Sequence, residues 1–173
     1  MRPMSDLQMI VAVDEQGGFA KDGEIPWNYK EDWEHFKATT KDAICIMGRK
    51  TYEDILDRKS KKSKSKTLLV GRTSYVITSN TNPDDFAGVE GIAPSVRQIL
   101  DKLDSDDDRN IFVLGGEKLY IQHIVWASRV YVTVVPGIYN CTRFFPVDYL
   151  HKNFLIAGGE EKGELKFITY HRK

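Results

Sequence analysis

With 173 residues, of which 41% are hydrophobic and 29% charged, the chain has the size and composition of one globular domain with its own core. Its 25 basic and 25 acidic residues balance, which excludes an overall field that attracts nucleic acid or a membrane surface. The N-terminal apolar stretch is too short for a membrane span and is interrupted too early by acids for a secretory signal, so we expect a cytoplasmic protein. The two cysteines and four histidines show no disulfide-framework, metal-ligand or triad spacing, which predicts reduced thiols and no metal site.

The first half of the chain alternates strands, loops and helices. A nearly continuous apolar run over residues 7–14 predicts a strand covered on both faces, and the Gly-rich, polar stretch 15–24 predicts a loop. Residues 29–39 carry apolar side chains three and four positions apart, which predicts a helix. A second buried strand is predicted over 43–48. The helix after it, 49–56, starts against that strand and turns its free backbone N–H groups toward the strand end.

The second half continues the alternation. The basic segment 58–66, RKSKKSKSK, lacks apolar residues and predicts a solvated surface loop. A strand is predicted over 75–79 and an amphipathic helix, capped at its start by a serine, over 95–103. Another strand is predicted over 110–116, and a helix over 117–126 follows it directly.

The C-terminal part is richer in strands. Residues 129–136 and 165–171 alternate polar and apolar side chains, which predicts late, antiparallel strands. No composition break or internal repeat divides the chain, so residues 1–173 are predicted to form a single α/β domain. Strand–helix alternation followed by a β-rich tail predicts a mostly parallel, twisted sheet with antiparallel C-terminal edge strands and flanking helices.

A carboxylate near an apolar helix face is the first candidate functional group. Asp32 follows the Pro26-Trp27 turn and precedes Phe36 by about one helical turn. A carboxylate on that face needs hydrogen-bond donors, or its pKa rises. The same periodicity also fits an exposed Asp32 on the polar face beside the neighbouring glutamates, so the residues alone leave both positions open.

Two strand ends carry features that suit an anionic ligand. The run IMGRKT ends a strand at Gly48 and starts a helix with two cations and Thr51, which favours a phosphate through backbone N–H groups and the helix dipole. The Gly115-Gly116 pair ends another strand and permits a ligand to approach the backbone closely. A solvated helix start and a tight turn explain these two patterns equally well.

The order of the motifs carries more information than any one of them. Along the chain stand an apolar strand with Ala12, Pro-Trp with an acid five residues after the Trp, IMGRKT, LVGRTSYVITS, VLGGEKLY, a strand with Thr133, and FFP at 144–146. This succession covers the chain from residue 7 to about residue 171 and resembles the dihydrofolate reductase family. The resemblance implies the fold of that family and an NADPH-dependent reduction of 7,8-dihydrofolate to 5,6,7,8-tetrahydrofolate.

The resemblance implies a substrate pocket anchored by Asp32. Its carboxylate is expected to hold the pterin ring and to be hydrogen-bonded by the Thr133 hydroxyl, while Trp27 helps to hold an ordered water. Arg72 is expected to pair with the α-carboxylate of the glutamate tail. The implied catalytic residues are Asp32, Trp27, Tyr120 and Thr133. The implied substrate-binding residues are Ile10, Val11, Ala12, Asp32, Phe36, Ile55, Leu69, Arg72 and Thr133.

The resemblance also implies a site for NADPH along the two glycine-bearing strand ends. The cations at the start of the second helix are expected to bind cofactor phosphates, and Thr78 and Ser79 to lie near the adenosine 2′-phosphate. Tyr120 is expected beside the nicotinamide. The implied cofactor-binding residues are Ala12, Phe19, Gly48, Arg49, Lys50, Thr51, Thr78, Ser79, Leu114, Gly115, Gly116, Glu117, Lys118, Leu119 and Tyr120.

The implied chemistry is hydride transfer to one pterin carbon and protonation of the adjacent nitrogen by a water, while Asp32 polarises the ring. Most of the rate is expected from positioning two rings in contact and stabilising the protonated imine. The loop 15–24 is expected to be a mobile lid over the nicotinamide. The partners expected are small molecules alone, without nucleic acid or membrane, and the protein is expected to be a monomer.

Several departures from the family pattern affect these expectations. Ala20 stands where the family usually has glycine, which predicts strain in the lid. Thr142-Arg143 replaces an Asp-Thr pair, which predicts the loss of a lid-closing hydrogen bond, and Val70 replaces a proline. The basic segment 58–66 is an insertion near the glutamate end of the substrate. Its six cations favour polyglutamylated folates, with a plain solvated loop as the alternative.

Two other functions remain open from the sequence. A pyrimidine reductase of the riboflavin pathway shares the fold and the cofactor, although such enzymes generally lack the Pro-Trp turn and the helical acid. A non-catalytic relative that serves as a binding or structural subunit is the second. The presence of Asp32, Arg72 and the phosphate-binding residues argues against that one.

Overall fold

The apolar runs of the sequence form the centre of an eight-stranded sheet in the computed structural model, which describes residues 1–60 and 65–173. Short 3₁₀ turns stand at Met4–Asp6 and Pro83–Asp85. In chain order the helices and strands are β1 (Leu7–Val13), β2 (Gly18–Ala20), α1 (Lys30–Thr39), β3 (Ile44–Gly48), α2 (Arg49–Ser60), β4 (Thr73–Ile77), β5 (Gly91–Ala93), α3 (Val96–Lys102), β6 (Ile111–Val113), α4 (Glu117–His123), β7 (Arg129–Val134), β8 (Arg143–Phe144), α5 (Val147–Asn153), β9 (Phe154–Lys162) and β10 (Leu165–Arg172).

The strand order of the large sheet is β5-β4-β3-β6-β1-β7-β10-β9. The six strands from β5 to β7 pair in parallel, whereas β10 runs antiparallel to both of its neighbours, β7 and β9. This confirms the predicted mostly parallel sheet with antiparallel C-terminal strands. The antiparallel orientation predicted for 129–136 is wrong, because β7 pairs in parallel with β1 and is antiparallel only to β10. Because parallel strands end at the same edge, the carboxyl ends of β1, β3, β6 and β7 lie together, where open α/β sheets bind ligands.

The core lies on both faces of the central strands. The side chains of Ile44, Ile46 and Ile111 have no exposed surface, as the continuous apolar pattern of their strands predicts. One core cluster packs α3, α4 and α5 against one face of the sheet, and a second cluster packs α2 and Phe86 against the opposite face. No helix within the described ranges is long and apolar enough to cross a membrane.

The lid, residues 15–24, is predicted as a loop with strain at Ala20, and the structure differs on both points. Residues 18–20 form β2, which pairs antiparallel with β8. Ala20 is therefore extended rather than left-handed, and the positive φ angles of the segment fall on Gly17, Asp22 and Gly23 instead. The predicted strain at Ala20 is wrong, because strand pairing holds that residue in a conformation open to any side chain.

The basic segment also begins differently from its prediction. Arg58 and Lys59 belong to the last turn of α2 and not to a surface loop. The Arg58 guanidinium lies 3.4 Å from the Asp54 carboxylate one turn earlier and 5.7 Å from the centre of the Trp33 ring. Cations at a helix C-terminus also complement its dipole, so the helix continues into the basic run. Residues 61–64 of the predicted loop lie outside the described residues.

Candidate active site

A cavity of about 480 Å³ lies at the carboxyl ends of the central strands. The carboxyl-terminal parts of β1 and β7 and the residues after β6 form its floor, and α1, α2 and the lid form its walls. It brings together most of the residues that the sequence predicts for substrate and cofactor. These are Ile10, Val11, Ala12, Phe19, Trp27, Asp32, Phe36, Lys50, Thr51, Ile55, Leu69, Leu114, Gly116, Glu117, Tyr120 and Thr133.

Asp32 lies on the cavity side of α1 and not on the polar face. Its side chain is partly buried, whereas Glu31 and Glu34 on the same helix are exposed. Burial raises the pKa of the Asp32 carboxyl, and a hydrogen bond with the Thr133 hydroxyl partly opposes that rise. Thr133 is 1% exposed and pairs with Ala12 across β1 and β7, so the sheet fixes the donor. The site therefore holds a carboxylate in an apolar enclosure with one hydroxyl to support its charge.

Replacing Thr133 by valine tests that support. We expect the variant to lose about 1–3 kcal/mol of unfolding free energy at pH 8, because the buried anion loses its donor. The loss should shrink at lower pH: without the donor the pKa of Asp32 rises further, and the penalty on the anion disappears as the pH falls through that pKa. Urea unfolding at pH 8 and pH 5 measures the difference, with Thr169→Val on β10 as the control. A loss that is equal at both pH values would contradict the role of the hydroxyl.

Trp27 contributes a buried donor to the same cavity. Its side chain is 7% exposed, and its ring packs edge-on against Tyr139 at 5.1 Å between centroids. The indole N–H has no acceptor within the part of the chain that the structure describes. A buried N–H in a cavity wall suits an acceptor on a ligand or a water.

The glycine pair closes the floor of the cavity on the α2 side. The Gly48 N–H donates to the Gly115 carbonyl at 2.8 Å, which fastens the end of β3 to the residues after β6. Gly115 has a φ of +119°, and the peptide bond to Gly116 is cis. A Cβ at Gly115 would lie 3.3 Å from the Thr51 hydroxyl oxygen and 3.3 Å from the Tyr120 ring. A side chain at Gly115 would therefore be strained by the positive φ and would crowd Thr51 and Tyr120.

Tyr120 packs at the floor of the cavity. Its hydroxyl donates to the Ile10 carbonyl at 2.8 Å, and burial raises the pKa of the phenol. The rings of Phe19 and Phe145 pack edge-on against it at 5.3 and 4.9 Å between centroids. Tyr120 therefore links α4 to β1 by a hydrogen bond, and its ring packs against Phe19 of the lid.

Arg72 lies beyond the lining of the cavity. Its guanidinium donates to the Thr40 hydroxyl at 3.1 Å, to the Val70 carbonyl at 2.7 Å and to the Lys37 carbonyl. These bonds hold the cation at the C-terminal end of α1, the helix that carries Asp32. Its predicted contact with a substrate carboxylate stays a prediction.

The other predicted cofactor residues outside the lining differ in their surroundings. Arg49 pairs with Glu53 on the surface, and Leu119 is buried in the main hydrophobic cluster. The Thr78 hydroxyl accepts the N–H of Asn80 at 3.1 Å. The remaining predicted cofactor residues that do not line the cavity are Gly48, Ser79, Gly115 and Lys118.

The cavity also includes charged residues that are absent from the set predicted from the sequence. Asp54 and Arg58 line it from α2, and the Arg58 guanidinium also donates to the Ile25 carbonyl at 3.4 Å. Burial raises the pKa of the Asp54 carboxyl, and the neighbouring Arg58 opposes the rise. The acid–base spacing of four residues on a helix is a signal for the pair, but the aromatic contact with Trp33 is visible only in the fold.

The lid is fastened to the segment before α5. The Thr142 N–H donates to the Ala20 carbonyl at 2.8 Å, and the Thr142 hydroxyl accepts the Asp22 N–H at 3.0 Å. The prediction that Thr142 removes a lid-closing hydrogen bond is wrong, because its hydroxyl oxygen serves as the acceptor. Phe19 and Ala20 of the lid thereby form one wall of the cavity.

Comparison with known proteins identifies the family. A sequence model of dihydrofolate reductase matches residues 6–172. The chain belongs to the dihydrofolate reductase family. It is 33% identical to the type 9 dihydrofolate reductase of Escherichia coli over 138 residues, which cover 76% of this chain and 71% of that protein. It is 29% identical to the dihydrofolate reductase of Bacillus subtilis over 175 residues, covering 96% and 95% of the two chains.

A solved structure supports the same family membership. The dihydrofolate reductase from Enterococcus faecalis, complexed with NADP(H) and RAB-propyl, is similar to this chain with a TM-score of 0.76. The two sequences are 29% identical, and the match covers 98% of each chain. The similarity thus includes the lid, both glycine-bearing strand ends and the C-terminal strands.

Proposed function

We propose that this protein reduces 7,8-dihydrofolate to 5,6,7,8-tetrahydrofolate with NADPH, and that the reaction takes place in the cavity at the ends of β1, β6 and β7. Membership of the dihydrofolate reductase family supports the reaction. One observation carries the location: Asp32 is the partly buried carboxylate on α1 with a hydroxyl partner in the sheet. An apolar cavity with a few convergent polar groups is the usual form of a small-molecule site.

The residues present fit the cofactor. Lys50 and Thr51 project from the start of α2 toward the cavity, where a cation, a hydroxyl and free backbone N–H groups suit phosphates. Gly116 lines the cavity without a side chain, which lets a ligand approach the backbone closely. NADPH supplies the hydride when it is bound, and Phe19 and Ala20 of the lid exclude bulk water from that end of the cavity.

Asp32 orients the substrate in this proposal. Its carboxylate accepts hydrogen bonds from the amino group and a ring N–H of the pterin, and its charge favours the protonated ring. Trp27 donates its free N–H to the water that delivers the proton. The catalytic contribution of the chain is therefore orientation and a placed negative charge rather than a covalent step.

The first test is the loss of NADPH absorbance when dihydrofolate is added. Turnover with dihydrofolate, and none with a riboflavin-pathway pyrimidine, is the expected result. A folded protein that binds NADPH but leaves dihydrofolate unchanged would contradict the proposal and favour a pyrimidine reductase. A folded protein that binds neither ligand would favour a structural subunit.

The six cations of the 58–66 segment support a preference for polyglutamylated substrate. Arg58 lines the cavity, so the basic run begins at its wall. We expect the KM of a pentaglutamyl dihydrofolate to be about tenfold below that of the monoglutamate at low ionic strength, and the two values to converge near 0.5 M salt because of screening. Equal KM values at low salt would contradict this preference.

We further propose that residues 1–173 form one domain that acts as a monomer in the cytoplasm. The main sheet runs from strands near the N-terminus to β10 at the C-terminus, which supports one cooperative unit. Both cysteines are free and buried, which agrees with a reducing compartment. Light scattering of the purified protein measures the oligomeric state, and a dimer mass would contradict the monomer.

A further inference from the structure

Asp14 is a buried carboxylate that the proposed chemistry does not use. It follows β1 directly and is 2% exposed, and it is not among the residues that line the cavity. One carboxylate oxygen accepts the N–H groups of Gln16 and Gly18 at 2.9 and 3.0 Å. The other accepts the Tyr139 N–H at 3.0 Å and the Cys141 thiol at 3.6 Å.

These donors keep the carboxylate ionised. Burial alone raises the pKa of Asp14, but the three backbone N–H groups and the thiol outweigh burial and hold the pKa below its ordinary value. A buried charge that depends on four donors requires both segments that supply them to stay in place. Separating those segments would leave the anion without its partners.

The two segments are the lid and the chain leading to β8. Around Asp14 the Glu15 N–H donates to the Gly137 carbonyl at 3.0 Å, and the Phe145 N–H donates to the Gly17 carbonyl at 2.9 Å. The contact is close at its centre, where a Cβ on Gly18 would lie 2.4 Å from the Cβ of Cys141. Asp14 therefore sits inside a tightly packed seam between the lid and residues 137–145.

The seam leads directly to the cavity. Ala12 stands two residues before Asp14, and Phe19 follows Gly18 in β2; both line the cavity. The ring of Phe19 packs on Tyr120 at 5.3 Å between centroids. The position of Phe19 in the cavity wall thus depends on the hydrogen bonds of Asp14.

We propose that Asp14 is a positioning residue for the reduction: its buried carboxylate holds the lid closed against residues 137–145 without touching substrate or cofactor. The inference rests on the proposed function, because that function makes the cavity the site of the reduction. Closure itself is measurable without catalysis, because Cys141 lies under the lid and Cys45 lies in the core with no exposed surface. Cys45 reports on unfolding. Cys141 reports on lid opening, but Asp14 also raises the pKa of its thiol, so hydrogen exchange of the Thr142 N–H, which donates to the Ala20 carbonyl at 2.8 Å, provides the second readout of opening.

The experiment measures the reaction of each cysteine with a thiol reagent, resolved by peptide mass spectrometry, in Asp14→Asn and Asp14→Ala. We expect the Thr142 N–H, which donates to the Ala20 carbonyl, to exchange with solvent about tenfold faster in Asp14→Asn, and faster still in Asp14→Ala, because asparagine keeps one acceptor oxygen. Cys141 should also react faster, in part because loss of the Asp14 charge lowers the pKa of its thiol. The reaction of Cys45 should stay at its wild-type rate. Single-turnover hydride transfer should fall about 10- to 100-fold, with the Kd of dihydrofolate nearly unchanged, since a small misplacement of the rings is costly.

Asp107→Asn is the control. Asp107 is a partly buried acid that, like Asp14, accepts a backbone N–H, but it lies in the loop before β6 and pairs with Arg109. The variant should leave Cys141 labelling and hydride transfer at wild-type values. An unchanged exchange rate of the Thr142 N–H in both Asp14 variants would overturn the proposal, as would equal acceleration of Cys45 or an unchanged hydride-transfer rate. Wild-type protein without turnover contradicts only the proposed function, and the exchange rate then still decides whether Asp14 closes the lid.

Discussion

Replacing Asp32 by asparagine is expected to lower kcat/KM for dihydrofolate about 10²- to 10⁴-fold, the range typical of a group that directs proton transfer. Asparagine has nearly the same shape and can still accept a hydrogen bond from Thr133. It carries no charge, however, and therefore does not favour the protonated pterin. Both kcat and KM should contribute to this loss, because the same carboxylate holds the pterin ring and polarises it.

The same substitution should make the folded protein more stable at neutral pH. Burial raises the pKa of Asp32 in the folded state above its ordinary value of 3.8, so ionising it opposes folding. The favourable contribution of the protonated acid is present below the unfolded pKa and is lost as the pH rises through the folded pKa. Asparagine stays neutral, so the advantage of the variant should grow over that window as the pH rises.

Urea unfolding at pH 5 and pH 8, together with NADPH-absorbance assays at pH 7, separates activity from stability. Glu34→Gln is the control, because Glu34 is exposed on the same helix two residues later. Glu34→Gln should leave the activity at pH 7 and the pH dependence of the unfolding free energy at wild-type values. An Asp32→Asn variant that is less stable than wild type at pH 8 would show that the carboxylate contributes to the fold itself. Retained activity would remove Asp32 from the reaction.

The fold was predictable where one strand or helix carries its own signal. The central strands are continuous apolar runs because both of their faces are covered, and α3 has a serine whose side chain accepts the Gln98 N–H at its start. β9 carries no such signal, since all of its residues except Phe154 are exposed and it includes two glycines and two glutamates. Its pairing with β10, and the pairing of β2 with β8, come from contacts between distant segments that no local pattern records.

The site was predictable to the extent that it repeats motifs in a known order. Periodicity fits both positions of Asp32, and only the resemblance assigns this residue to the pocket. The basic neighbours of Arg58 indicate a loop, whereas its own contacts with Asp54 and Trp33 extend the helix. The sequence predicts the loss of a hydrogen bond at Thr142, because the position of its hydroxyl relative to the lid depends on the β2–β8 pairing. Contacts across elements account for each difference.

Gly115→Ala is expected to have the second large effect, on cofactor binding. The φ of +119° at Gly115 is a conformation that glycine alone adopts without strain, and the new Cβ would press on Thr51 and Tyr120 at 3.3 Å. We expect the free energy of unfolding to fall by about 2–4 kcal/mol from strain and overpacking together. We expect the KM for NADPH to rise about 100-fold, which corresponds to about 3 kcal/mol of binding free energy.

Gly163→Ala provides the matched control for that variant. Gly163 also has a positive φ, of +59°, but it stands in the turn between β9 and β10, and a Cβ there meets nothing within 4 Å. It should reduce stability slightly and leave the KM for NADPH unchanged. NADPH titration by fluorescence and urea unfolding of both variants separate local strain from cofactor exclusion. If Gly115→Ala loses stability but binds NADPH normally, the glycine is needed only for the backbone turn, and the cofactor lies elsewhere in the cavity.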